Sequence, residues 1–375
     1  MVFILEALPA KHGDSLLLHF GTEADPGLAV IDGGPAGVLN ASLLPRLQAI
    51  HKERGEPKRL TIDLGMVSHI DDDHVNGIAA LTSKMVQNTV VPPLEFARFW
   101  HNSFNDLLDD DDEELGTTAS LVSAASIGSS APNASAVIAS VGQGREVRQN
   151  LESLGIGNNS PFKSLIVTGH EKSPFKLKNL KFTVVAPLAE QVAELQKEWA
   201  EDVKKLKKDK TKKGRIAEYL DESVPNLSSL VFLVEDGKKR MLLTGDARGD
   251  HTLEGLEKVG LLKKGKTMKI DILKCPHHGS DRNVNHDYFE RILAKHYVIS
   301  ADGKHGNPDI PTLEMISAAR PDDDFTIHFT HPLSEFADQA VAKKVKAFFA
   351  AEKKKGRKYE VVFRAKASPS ITIEL

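Results

Sequence analysis

Short apolar runs separated by turn residues fill the first hundred positions: VFILEAL, SLLLHF after Gly13-Asp14, and LAVIDGG, where Asp32-Gly33-Gly34 ends a strand. TIDLGMVSH is a further β-rich run, and it stops at a group of histidines and aspartates. VNGIAALTSKMV follows with apolar residues at helical spacing, so that group is predicted on a strand-to-helix turn. A second strand series is predicted from SLIVTG and LKFTVVAP, then SLVFLVED, RMLLTGD and MKIDILKCPHHGS, with a helix near HTLEGLEKV. YVISADG, a helix at PTLEMISAA, FTIHFTH, a long helix through ADQAVAKKVKAFFAAE, and closing strands YEVVFRA and SITIEL complete the chain. Two strand-rich halves, each followed by helices, predict two sheets face to face with helices outside.

Two stretches depart from this rhythm. Residues 105–160 hold an acidic run, LLDDDDEEL, then an uncharged Ala/Ser/Gly-rich segment that reads as an insertion with small-residue helices ending in REVRQNLESLGI. Residues 188–222 read as an amphipathic helix turning strongly basic, either a solvated face or an arm that tracks phosphates. The remainder of 1–375 reads as one domain, with the insertions as candidate surfaces for a protein partner or a homodimer.

Forty-nine Lys and Arg against 52 Asp and Glu give a formal net charge of -3, so no global positive field advertises nucleic acid, and any such partner needs a local patch. The single cysteine, Cys275, excludes an internal disulfide and a cysteine-rich zinc site. No stretch approaches the roughly 20 apolar residues of a membrane span, and Glu6 interrupts the first apolar run. The expectation is a soluble cytoplasmic protein with no membrane partner.

SHIDDDHVNG places His69, Asp71, Asp73 and His74 on one turn, with the first three on one side of an extended segment. Imidazole and carboxylate without thiolate suit zinc, manganese or magnesium. An Asp-rich helix cap would explain one aspartate, but not two histidines bracketing three acids. Asp246 ends RMLLTGD, and His277 and His278 end ILKCPHHGS, so every candidate ligand follows a strand and three strand ends are expected to converge on one rim.

These residues resemble the metallo-β-lactamase superfamily, and within it the hydrolase domain of ComEC-type competence proteins. His69-Ile70-Asp71-Asp72-Asp73-His74 is similar to the His-x-Asp-x-Asp-His form of the signature; Gly13-Asp14-Ser15, Asp32-Gly33-Gly34, Asn226/Ser229-Leu230-Val231, Leu243-Thr244-Gly245-Asp246 and Lys274-x-x-His277-His278-Gly279-Ser280 also match in order. The resemblance implies an αββα sandwich holding two divalent ions (Zn²⁺ or Mn²⁺). It assigns His69 and Asp71 to one ion, Asp73 and His74 to the other, Asp246 as the bridge, and one of His277 or His278 to complete the second position. His277 is favoured as nearer the strand end. Asp32 is expected behind the ions as an orienting carboxylate, with Asn226 and Lys274 near the site. The family's closing Asn-x-Tyr-Gly-His-Pro reads here Gly303-Lys304-His305-Gly306-Asn307-Pro308, so Asn307 stands where a histidine is usual: either His305 substitutes from two residues away, the favoured reading, or the role of acid or substrate contact is weakened.

The chemistry expected is hydrolysis by metal-activated water, with Asp73, Asp246 and His305 as catalytic residues. A phosphodiester of DNA, RNA or a nucleotide is the leading substrate. Alternatives are a carboxylic ester, thioester or lactone, or a catalytically weakened binding module.

Overall fold

Alternating inward and outward side chains dictate how the layers form. In the computed structural model, which describes residues 1–103, 134–194, 196–197, 201, 229–321 and 324–375, the first sheet has the order β16-β1-β2-β3-β5-β7. Its strands are β1 (Val2–Ala7), β2 (Leu16–Gly21), β3 (Pro26–Ile31), β5 (Leu64–Met66), β7 (Phe99–Trp100) and β16 (Ile371–Glu374). The second sheet runs β15-β14-β13-β12-β11-β10-β9-β8. It is built from β8 (Phe175–Leu177), β9 (Leu180–Ala186), β10 (Val231–Asp236), β11 (Lys239–Leu243), β12 (Met268–Lys274), β13 (Ile292–Ile299), β14 (Thr326–Phe329) and β15 (Glu360–Phe363). Between β11 and β15 every pairing is parallel.

Period-two patterning sorts the core into three layers. Leu16 and Leu18 of β2 and Phe232 and Val234 of β10 meet Trp100, Phe182 and Ile272 between the sheets. Leu17, pointing the other way, packs with Leu47, Ile50, Val75 and Ile78 of α1 (Leu44–Glu53) and α2 (Asp72–Val86). Val231 and Leu233 pack on the opposite outer face with residues of α4 (Gly249–Lys258), α5 (His286–Arg291), α6 (Ile310–Ala319) and α7 (Gln339–Lys354). The architecture is therefore an αββα sandwich, with α2, α4, α6 and α7 where the sequence pattern predicts helices and with α1 and α5 as further helices that it does not predict.

Local departures have identifiable causes. The TIDLGMVSH run splits at Asp63 into β4 (Leu60–Ile62), which pairs with β6 (Leu94–Phe96) in a separate two-stranded sheet, and β5. Asp63 accepts the Leu28 N–H through Oδ2 (3.0 Å), holding the break against β3. SLIVTG forms no strand: the Ile166 N–H goes to Asn102 Oδ1 (2.9 Å) and Thr168 Oγ1 donates to the Val185 carbonyl (2.6 Å), so side chains supply what a ladder would. Within the 105–160 insertion, α3 (Ala134–Ser153) packs on α2, with Val147 and Leu151 buried and Gln143 Nε2 donating to Asp72 Oδ1 (2.8 Å). The acidic run and most of the basic segment 188–222 lie outside the described residues. No helix of the described residues is long and apolar enough to cross a membrane.

Candidate metal centre

The chain places its polar cluster where β3, β5, β11, β12 and β13 end, the crevice that parallel strands leave at their carboxyl edge. His69 follows β5. Asp71 takes the cap position of α2, and Asp73 and His74 stand in its first turn. This corrects the extended-segment reading: helix begins at Asp72, because the His74 and Val75 N–H groups both turn back to the Asp71 carbonyl (2.9 and 3.0 Å). Asp71 has the cap backbone but its carboxylate makes no capping hydrogen bond, and Oδ2 lies 3.5 Å from His69 Nε2. A plain helix cap does not account for that orientation.

Two glycines let these parts meet. A Cβ on Gly13 would lie 1.9 Å from the Asp73 carbonyl oxygen, and one on Gly33 would lie 2.4 Å from the Ile78 nitrogen. The β1–β2 loop and the end of β3 thus press directly on the first turns of α2.

Asp246 stands at the centre. Its Oδ1 lies 3.3 Å from His74 Nε2, and its Oδ2 lies 3.4 Å from His278 Nε2 and 3.8 Å from both His69 Nε2 and His277 Nε2. Asp73 closes the other side, with Oδ2 3.3 Å from His278 Nε2 and Oδ1 3.9 Å from His74 Nε2. The three strand ends meet, as their order along the chain led us to expect.

The two end-of-β12 histidines differ. His278 is buried and His277 is not, and His278 rather than His277 shares a potential metal-holding group with Asp14, His74 and Asp246. Nearness to the strand end was thus the wrong guide to depth. Both sit in the left-handed region (φ 46 and 56) ahead of Gly279 (φ 84), and this coil swings His278 inward. Such conformations cost about 1–2 kcal/mol per non-glycine residue and persist where the surroundings enforce them. His277 Nδ1 meets Asn283 Oδ1 (2.9 Å), and Asn283 Nδ2 donates to the Asp246 carbonyl (2.7 Å).

Supporting groups fix the rings. Asp32 Oδ2 accepts from Ser68 Oγ (2.7 Å) and contacts His74 Nδ1 (2.9 Å), while Oδ1 accepts the Ser68 N–H (2.7 Å). His278 Nδ1 lies 3.0 Å from the Ser300 carbonyl and 3.5 Å from Asp14 Oδ1. With each Nδ1 facing an acceptor, both Nε2 atoms turn to the centre, 3.3 Å apart.

Asp14 and Ser68 escaped the sequence reading as site members. Gly13-Asp14 looks like ordinary turn chemistry, and only the match of Gly13-Asp14-Ser15 to a family motif drew notice to it. Lys274 is fully buried, ion-paired to Asp14, 3.8 Å from Asp246 Oδ1, and donates to the Gly245 carbonyl (3.2 Å). Asn307 backs the turn, donating from Nδ2 to the His277 carbonyl (3.5 Å). His305 is exposed, its ring edge-on to His12 with centroids 5.2 Å apart. Asn226 lies outside the described residues.

Electrostatics favour a cation here. Burial opposes ionisation of Asp246, but His278, His74, His277 and His69 outweigh it and hold its pKa well below the usual carboxylate range. Burial likewise disfavours charge on His74 and His278, yet Asp246 and neighbouring carboxylates raise both pKa values well above the ordinary value. Burial also opposes charge on Lys274, and Asp14 and Asp246 overcome it to raise its pKa. His69 Nε2 and Asp246 Oδ1 are buried with no hydrogen-bond partner. Buried polar atoms without partners are uncommon, and nitrogen and oxygen donors aimed at one point fit a borderline divalent ion.

No protein-family model matches the chain, and no curated protein matches it. Among solved structures it is similar to a mutant of CmlA beta-hydroxylase at 11% identity with a TM-score of 0.40. That alignment covers 100% of this chain and 54% of the other, so the chain spans about half that protein's length. The αββα sandwich thus carries a buried His/Asp cluster at the ends of its strands.

Proposed function

We propose that the chain is a metal-dependent phosphodiesterase or nuclease, similar in kind to the ComEC-type hydrolase domain, acting on DNA, RNA or a nucleotide. The observation that carries the reading is the convergence of four histidine Nε2 atoms, those of His69, His74, His277 and His278, on the buried carboxylate of Asp246. His69 and Asp71 would hold one divalent ion and Asp73, His74 and His278 the other, with Asp246 reaching both. Divalent ions held there would supply a water of lowered pKa and an electrophile for a phosphoryl oxygen.

The protein's own part is arrangement. Asp32 and Ser68 keep His74 turned inward, and Ser300 does so for His278. Lys274 offsets one carboxylate and keeps Asp14 charged beside His278. His305, at the rim, is the candidate to give a proton to the leaving oxygen. Asp71 in place of a histidine adds oxygen character, which favours harder ions such as Mn²⁺ and an anionic substrate.

The test is cleavage of single-stranded DNA, duplex DNA, RNA and bis-p-nitrophenyl phosphate with added Mn²⁺ or Zn²⁺. Cleavage lost in Asp73→Ala supports the proposal. Inertness towards all four, with hydrolysis of chromogenic carboxylic esters, overturns it.

A further inference from the structure

Beside the carboxylate cluster, two loops bring basic side chains together. His12 precedes β2, and Lys304 and His305 follow β13. Lys304 Nζ lies 3.5 Å from His12 Nε2, and the His12 and His305 rings meet edge to face at 76°. The loops are tied to each other and to the centre: Ser300 Oγ donates to the Gly13 carbonyl (2.7 Å), and the Asp14 N–H donates to the Asp73 carbonyl (3.2 Å). The Lys304 N–H donates to Asp302 Oδ1 (3.0 Å), which fixes the turn and leaves the ammonium free to project. His305 is held in the left-handed region at φ 60.

None of the three side chains is ion-paired with a carboxylate among the described residues, and His12 Nδ1 is buried without a hydrogen-bond partner. At 3.5 Å the Lys304 ammonium makes only a long contact to the His12 ring, and a phosphate oxygen set between them can accept from the ammonium and from an imidazole N–H. The neighbouring carboxylates repel a free anion, so the arrangement serves a ligand anchored at the metal centre as well.

We infer that His12 and Lys304, walled by His305, form an anion subsite that takes a second phosphate of the substrate, next to the one that is cleaved. The inference rests on the phosphodiester reading and narrows it to substrates with at least two phosphates, such as an oligonucleotide. A substrate with a single phosphate leaves the subsite unfilled.

Two measurements separate this inference from the reading beneath it. In the first, inorganic phosphate is titrated into the metal-loaded protein while the histidine side-chain resonances are followed by NMR. The His12 and His305 signals are expected to shift, and Lys304→Met is expected to weaken that response about tenfold, the loss of one charge-assisted hydrogen bond. In the second, kcat/KM is compared between a 5′-phosphorylated thymidine dinucleotide and bis-p-nitrophenyl phosphate. Lys304→Met and His12→Gln are each expected to lower it about tenfold more on the dinucleotide, chiefly through KM. Cleavage of both substrates with no selective loss and no shift of the two resonances overturns the subsite and leaves the phosphodiester reading standing. Lys304-dependent shifts without cleavage of any phosphodiester overturn the catalytic reading and leave an anion site.

Discussion

Replacing Lys274 by methionine tests whether the buried charges of the centre are balanced as the structure implies. The side chain is 1% exposed, and its ammonium reaches Asp14, the Gly245 carbonyl and Asp246. At 3.8 Å and an effective dielectric near 20, the attraction to Asp246 alone is about 4 kcal/mol before desolvation is charged against it. Methionine keeps the bulk and removes the charge, leaving Asp14 buried without its cation. Breaking a buried pair in this way costs about 3–5 kcal/mol, whereas removing both partners costs far less. Metal-free Lys274→Met is therefore expected to lose about 3–5 kcal/mol in urea unfolding, and Lys274→Met with Asp14→Asn to regain about half of it. An unchanged urea midpoint in the single variant, or strict additivity in the double, would refute the coupling.

Other consequences follow from the same geometry. Glu6 is buried, which raises its pKa, but hydrogen bonds from His19, Arg46 and Ser370 prevail and hold it at about 2 against an ordinary 4.5. Its contribution, about 3 kcal/mol from that depression, is present above pH 4.5 and lost as pH falls towards 2; unfolding midpoints of Glu6→Gln across that range are expected to be the flatter. Asp32→Asn is expected to weaken metal binding ten- to a hundredfold in chelator competition, with the far-ultraviolet spectrum unchanged, because its partners hold a ring and not the layers. In Gly13→Ala, a Cβ meeting the Asp73 carbonyl at 1.9 Å has to push α2 from the β1–β2 loop. Thermal melting and metal retention should both fall, and a wild-type profile in both would contradict the packing.

The layers were legible because period-two strands sort their own faces: Leu16 and Leu18 inward and Leu17 outward is a two-sheet sandwich written locally. The His69 to His74 cluster was legible for a different reason, since no cap or turn needs that many acids and imidazoles together. Long-range closure was hidden. Asp14 joins the site through His74 and through Lys274 and His278, the last two more than 250 residues away, and nothing in a Gly-Asp turn announces such partners. The order of His277 and His278 depends on two consecutive left-handed residues, a conformation that composition does not signal. SLIVTG carries β-branched residues typical of a strand, yet Asn102 and Thr168 satisfy its backbone, so propensity gave way to tertiary hydrogen bonding.

Anomalous scattering from crystals grown with Mn²⁺ or Zn²⁺ tests the centre most directly. Two peaks flanking the Asp246 carboxylate are expected, one beside His69 and Asp71 and one among Asp73, His74 and His278, both absent in Asp246→Ala. No peak within bonding distance of these side chains, at saturating concentrations of either ion, would contradict the account.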